Sequence, residues 1–553
     1  MISKVDFWDE VVSEGENQWS YSTKPYSLPS FSKTLCTYCD RGWITDLISQ
    51  NSLYNLRPET PIFISAQTGS GKTTLIFKEC LPLAQKENKR ILYLCSRAAL
   101  AAQVKKIAMT DPSNKLQKVN DIYIKDFCQY FTPQYINESI KYGLIDILTY
   151  HSYFKLKKQI DADDYSMVVL DECHFFVSDS KFNPFTEAIL KSICKEFSGT
   201  RRMYLTATPQ ECIGQIYEYE TSSFKANSNM LILFHFKESY DYLEPYFFFN
   251  ENKLISTIKE RSTEEKWLIF VSSKKQGNQL LNIIKEFDND TIFFCSETEK
   301  DNADLCFLIE EEILSKRIVI STRLIDVGVN VRTNNLNVVL FEYEQTELKQ
   351  MIGRKRIKGN EKLRVYFHVP DPQMLKKRST CLAKSTLDYY DAKRRLKHNI
   401  PFDSIALPLF ISDGKLSINK LTLTKLNYER DYFRMLNSAW LETRDNNDFL
   451  NFYIKLIASF FPGMAVSDKI CILETFQERL DKLLSNIIAK ELTQQEYIEV
   501  TRHIVNILGE WRKNSTGIMR VNNLNSRLQK YGYAFRTNDT KSSYFVEPIK
   551  IGE

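Results

Sequence analysis

Short, wholly apolar runs recur between about residues 60 and 370, and they constrain the fold more than any other feature: PIFIS, ILYLC, MVVL, MYLTA, WLIFV, TIFFC, IVIS, NVVLF and VYFHV. Each is too short for a helix and rich in Val, Ile, Tyr or Phe, as strands covered on both faces must be. Longer segments with helical spacing separate them, KTTLIFKECLPLAQKE and KQGNQLLNIIKEF among them. Such alternation predicts an α/β architecture of parallel sheets with helices on both sides. Ligands of such sheets bind at the carboxyl ends of the strands. The distinctive residues of this chain lie there: PIFIS runs into AQTGSGKTT, MVVL into DECH, MYL into TATP and IVIS into TRLIDVGVN.

A chain of 553 residues is too long for one core. The earlier runs end near Thr206–Gln210, and a looser segment rich in Tyr, Ser and Asn follows. The expected limits are an extension over 1–41, a first sheet domain over 42–225 and a second over 226–370. From 371 to 553 helical spacing takes over. In CILETFQERLDKLLSNII, residues Leu473, Phe476, Leu480, Leu483, Leu484 and Ile487 share one stripe. The end, 519–553, reads as a helix and then two strands around a polar turn, which suits either a winged-helix-like module or a plain terminal cap.

Composition narrows the partners. A net charge of +5 from 74 basic and 69 acidic residues permits nucleic-acid binding only through local basic surface. The acidic start lacks a signal-peptide pattern, and LIASFFPGMAV is too short for a membrane span and is broken by Pro462 and Gly463. A cytoplasmic protein without a membrane segment is expected. Cysteines within apolar runs fit a reducing compartment. Cys36 and Cys39 lack the further ligands that zinc needs, so two free thiols are the favoured reading.

Ala66–Thr73, AQTGSGKT, has the phosphate-loop form. Glycines at 69 and 71 let backbone N–H groups curl around a polyphosphate at a helix start, where the dipole favours negative charge. Lys72 would reach the β and γ phosphates and Thr73 would place its hydroxyl on Mg²⁺. In DECH, Asp171 fits a magnesium carboxylate and Glu172 a base for attacking water. QMIGRKRIKG, Gln350–Gly359, is dense in charge, and by itself reads as a solvated face.

The order AQTGSGKT, DECH, TAT, QMIGRKR resembles motifs I, II, III and VI of the superfamily 2 helicases. SRAALAAQ is similar to motif Ia, LTYHSY to the strand-binding segment before the acidic box, WLIFVSSKKQ to motif IV and ISTRLIDVGVNV to motif V. The resemblance covers about residues 42 to 370 and implies two tandem RecA-like domains with a mainly helical C-terminal region outside it. It also implies ATP and Mg²⁺ between the domains. Gly69, Ser70, Gly71, Lys72, Thr73, Thr74 and Gly328 would bind the nucleotide, and Thr73 and Asp171 the metal. Lys72, Glu172, Gln350, Arg354 and Arg356 would carry catalysis, while Thr206 and Thr208 would couple nucleotide to nucleic acid. Arg97, Thr149, Ser272, Thr322 and Arg323 lie where the family contacts sugar and phosphate, with DNA favoured over RNA.

The acidic box is not DEAD and no clear glutamine motif precedes the loop, so the RNA-restricted DEAD-box subfamily is disfavoured. The shortened spacing of motif VI leaves open whether Arg354 or Arg356 is the arginine finger. Three activities fit: a helicase, a duplex-DNA translocase serving a nuclease or other partner, and a nucleotide-gated clamp with little turnover.

Overall fold

The structure, a computed structural model, describes residues 34–39, 43–110, 141–142, 144–222, 231–299, 301–323, 329–401, 409–412, 415–443, 446–464, 471–472, 476–488, 490–508, 521–538 and 543–549. Most of the 1–41 extension, Gly328, Leu473 and the side chains of Cys36, Cys39 and Phe476 lie outside the described residues.

All the apolar runs named above are strands, and they sort into two sheets. The first holds, in spatial order, Thr34–Cys39, Leu231–Phe236, Pro61–Ser65, Arg201–Thr206, Tyr165–Asp171, Arg90–Cys95, Ile145–Thr149 and Lys141–Tyr142. Every pairing in it is parallel except the last. The second holds Thr291–Phe294, Ile318–Ser321, Lys266–Phe270, Leu336–Leu340, Leu363–His368, Leu243–Phe248 and Cys471–Ile472, all parallel. Apolar clusters cover both faces of each sheet, which is why its strands alternate so little between apolar and polar. These are two tandem RecA-like domains.

The sheets cross the limits expected from sequence. Leu231–Phe236 lies past residue 225 yet pairs with Pro61–Ser65 and with Thr34–Cys39, itself inside the 1–41 extension. Cys471–Ile472, expected in a helical stripe, extends the second sheet, and the helix begins only at Phe476. Strand pairing is made by main-chain groups, which leave no mark in side-chain periodicity. The C-terminal region is otherwise mainly helical, with long helices over Pro372–Lys397, Lys420–Thr443 and Asn446–Phe460. Its end is a helix, Val521–Leu528, followed by an antiparallel hairpin of Tyr533–Thr537 and Tyr544–Pro548. Among the described residues no helix is long and apolar enough to cross a membrane. Cys80, Cys95, Cys173, Cys194, Cys212, Cys295, Cys306 and Cys381 are free and, save Cys381, buried.

Within the first domain, Arg202 on a central strand is fully buried and ion-paired with Glu220 through Nε–Oε1 at 2.8 Å and Nη2–Oε2 at 3.0 Å. The same guanidinium donates to the carbonyls of Phe197, Thr200 and Glu59, and Tyr204 donates to Glu220. Removing one partner strands a charge that has no water to turn to. Glu220→Ala should therefore cost about 3–5 kcal/mol, read as a lower denaturant midpoint for the first domain.

Candidate nucleotide cleft between the two sheets

Register brings the expected residues of the first domain to one rim. Ser65 pairs with Thr206 and Asp171 with Leu205, and the Ala66 N–H donates to the Thr206 carbonyl at 3.0 Å. The phosphate loop, the acidic box and the TAT segment thus leave adjacent strand ends side by side. Gly69 and Gly71 hold φ of +89° and +92°, a left-handed region that glycine enters without penalty. A Cβ on Gly71 would also come within 2.8 Å of the Trp43 ring. Lys72, Thr73 and Thr74 open the helix after the loop.

The loop's polar groups suit a polyanion. Lys72 Nζ donates to the Ala66 carbonyl at 2.9 Å and lies 3.4 Å from that of Gln67, while Ser70 Oγ is buried with no hydrogen-bond partner among the described atoms. Burial lowers the Lys72 pKa against the pull of Glu172 and Asp171. Burial and the adjacent Glu172 push the Asp171 carboxyl up to about 6. A divalent cation at this carboxylate would hold it ionised. Tyr93 donates to Asp171 Oδ2, and Tyr150 Oη donates to its carbonyl at 2.8 Å.

Glu172 has φ of +51°, unusual for a side chain of its size and worth about 1–3 kcal/mol of local strain. The turn aims its carboxylate across the cleft. Burial alone would raise its pKa, yet His174, Lys72 and Arg354 hold it below the ordinary value. From the second domain, Gln350 Nε2 lies 3.4 Å from Glu172 Oε2 and Arg354 Nη2 lies 3.9 Å from Oε1. Arg354 is steered by Gln350, donating to its side-chain oxygen at 2.9 Å and its carbonyl at 3.0 Å. Arg356 points elsewhere: Asn330 holds its Nε at 2.8 Å, and Nη1 stands 3.3 Å from where a Cβ on Gly69 would be. Burial and Arg354 lower the Arg356 pKa to about 10. The two arginines therefore face different parts of the cleft, one the carboxylate and one the loop.

His174 links the acidic box to the TAT segment, with Nδ1 3.1 Å from Thr206 Oγ1 and 3.4 Å from Glu172 Oε2. Thr206 Oγ1 accepts from the Thr208 N–H at 3.0 Å. The residues expected at a nucleic-acid strand sit on the same side of the sheets, at strand ends. Arg97 pairs with Asp179, Arg323 with Glu347 at 3.0 Å, and Thr149 caps the helix Tyr150–Leu156. The Thr322 N–H donates to the Phe294 carbonyl at 3.0 Å, and Ser272 Oγ lies 3.3 Å from Gln276 Oε1. Sequence reasoning passed over Tyr93, inside the apolar run ILYLC; His174, inside DECH; and Asn330, whose partner is 26 residues away.

Type III restriction enzyme, res subunit, is the family that matches, over residues 36–211. That span carries the phosphate loop, the DECH box and TAT and ends before the second sheet. No curated protein matches the chain. Among solved structures, the chain is similar to Mss116p bound to ssRNA and AMP-PNP, at 15% identity over 62% of this chain and 78% of that one with a TM-score of 0.45. It is also similar to S. cerevisiae Dbp5 bound to RNA and ADP BeF3, at 16% identity over 58% and 83%, TM-score 0.42. A DEAD box protein of Methanococcus jannaschii is similar at 17% identity over 57% and 83%, TM-score 0.32.

The cleft closes tightly at one point. A Cβ on Gly353 would lie 2.7 Å from Thr68 Oγ1 and 2.9 Å from the Lys349 carbonyl. Gly353→Ala should push the arginine-bearing segment off the phosphate loop and reduce ATP turnover about 100-fold in a protein of unchanged helicity, since a displacement near 1 Å can cost that much. Steady-state ATPase beside circular dichroism checks this.

Proposed function

We propose that the chain is an ATP-dependent nucleic-acid helicase or translocase that hydrolyses ATP between its two RecA-like domains. The observation that supports this most is the meeting of Glu172 from one domain with Gln350 and Arg354 from the other, beside a loop that Arg356 faces. Binding alone would need neither a buried base nor a glutamine set against it.

In this reading Lys72 exchanges the Ala66 and Gln67 carbonyls for phosphate oxygens, and the backbone and hydroxyls from Gly69 to Thr74 ring them. Thr73 and Asp171 would hold a Mg²⁺, which would supply charge neutralisation at the phosphates. Glu172 accepts the proton of the attacking water while Gln350 orients it. Arg356 is the finger, because it is the arginine that faces the loop, and Arg354 keeps Gln350 in place. His174 and Thr206 carry the state of the base to the TAT segment. Arg97 and Arg323 exchange Asp179 and Glu347 for backbone phosphates, which makes binding depend on salt more than on base sequence.

A second reading keeps the ATPase and removes strand separation: a duplex-DNA translocase serving a nuclease or other partner subunit. The match to a restriction-enzyme subunit favours it and favours DNA as the track. Displacement of a triplex strand from blunt duplex, set against unwinding of a fork, separates the two.

Lys72→Ala and Glu172→Gln should each lower ATP turnover at least about 100-fold in a folded protein, and full activity in either would remove the assignment. Arg356→Ala should lower kcat at saturating ATP by about 10³, more than Arg354→Ala does; the reverse order would exchange their roles.

A further inference from the structure

The helix Lys420–Thr443 lies outside both sheet domains in sequence and is buried in both in space. Leu421 belongs to the core of the first domain, with Leu170 and Phe175. Leu426, Phe433 and Leu436 belong to the core of the second, with Leu348 and Ile352. Hydrogen bonds repeat the division. Asn419 Nδ2 donates to the Asn183 carbonyl at 3.1 Å and Thr422 Oγ1 to the Ser180 carbonyl at 2.8 Å, whereas Tyr432 Oη donates to the Tyr343 carbonyl at 2.7 Å.

Between these halves sits Lys425, 1% exposed. Its Nζ donates to Glu211 at 3.2 and 3.1 Å and to Glu344 at 2.9 Å, with Glu429 at 3.8 Å. Glu211 ends the turn that follows Thr208, and Ser178, just past the acidic box, donates to it at 3.0 Å. Glu344 is the N-cap of Gln345–Ile352, the helix that carries Gln350. Glu429 is also held by Lys181 at 2.7 Å, and Glu344 lies 3.8 Å from Arg378. A compact ammonium with three donors can satisfy carboxylates that converge from different elements. Without it, Glu211 and Glu344 would share a dry space as like charges across the domain junction.

We infer that Lys425 is a positioning residue for hydrolysis: from the C-terminal region it holds the turn after TAT and the Gln350 helix in register across the ATP cleft. This rests on the ATPase reading above. The phosphate loop lies wholly in the first domain, and among the described residues no hydrogen bond or ion pair joins it to Lys425, so the effect belongs to turnover and not to nucleotide affinity.

Lys425→Met keeps the apolar stem and removes the charge. In steady-state ATPase its kcat should fall at least about 10-fold, with KM for ATP within about 3-fold of wild type. Lys425→Met/Glu344→Gln, which removes one stranded carboxylate, should recover part of that loss. In hydrogen exchange on the nucleotide-free full chain, the amides of Gln345–Ile352 should exchange faster in Lys425→Met. If that variant does not fold, Glu344→Gln alone should show a smaller kcat loss, with faster exchange in the same helix. A wild-type kcat, a loss confined to KM, or unchanged exchange in Gln345–Ile352 would overturn the inference. A wild-type chain that hydrolyses no ATP would instead remove the ATPase reading, and the exchange comparison would still decide whether Lys425 ties the two domains.

Discussion

Glu172 is a buried carboxylate whose neighbours come from both halves of the molecule: Lys72 and His174 from its own domain, Gln350 and Arg354 from the other. Burying a negative charge is costly unless it is paired and hydrogen-bonded. Here the second domain supplies part of the pairing, so the stability of this charge and the closeness of the two sheets are one condition. A strained left-handed turn at Glu172 fits that role, since strain of this kind persists only where the surroundings over-determine it.

Shape enforces the same closeness. Gly353 meets Thr68, and Arg356 meets Gly69, at positions where a side chain on either glycine would intrude. The basic segment that alone reads as a solvated face is largely buried at its start, with Gln350 2% and Arg354 3% exposed. There Arg354 faces Glu172 and donates to Gln350's oxygen, and Lys355 pairs with Glu361.

The C-terminal region is part of this construction and not an appendage to it. Cys471–Ile472 completes the edge of the second sheet, and one continuous helix contributes to both cores. A two-domain cleft alone is expected to open and close about its linker. A rigid element set into both cores adds a second connection, and the carboxylates it meets at Lys425 lie on the turn after Thr208 and on the helix that carries Gln350.

Much of the fold and part of the candidate site were legible from sequence. Apolar runs such as MVVL and IVIS are strands because a fully buried strand needs no polar residue, a local demand that the residues themselves display. Gly69 and Gly71 likewise declare a turn that other residues enter only under strain. The edge strands Thr34–Cys39 and Cys471–Ile472, and the place of Leu231–Phe236 between Thr34–Cys39 and Pro61–Ser65, were not legible, because main-chain pairing puts no period into the side chains. Nor were the separate directions of Arg354 and Arg356, or the partners of Lys425 and Glu211, which stand 214 residues apart in the chain. What the sequence determined by itself is local: strand, turn and the residue types each motif brings to a strand end. Which buried charge faces which was decided by tertiary structure, because that depends on distant segments sharing one water-free space, a condition no single segment contains.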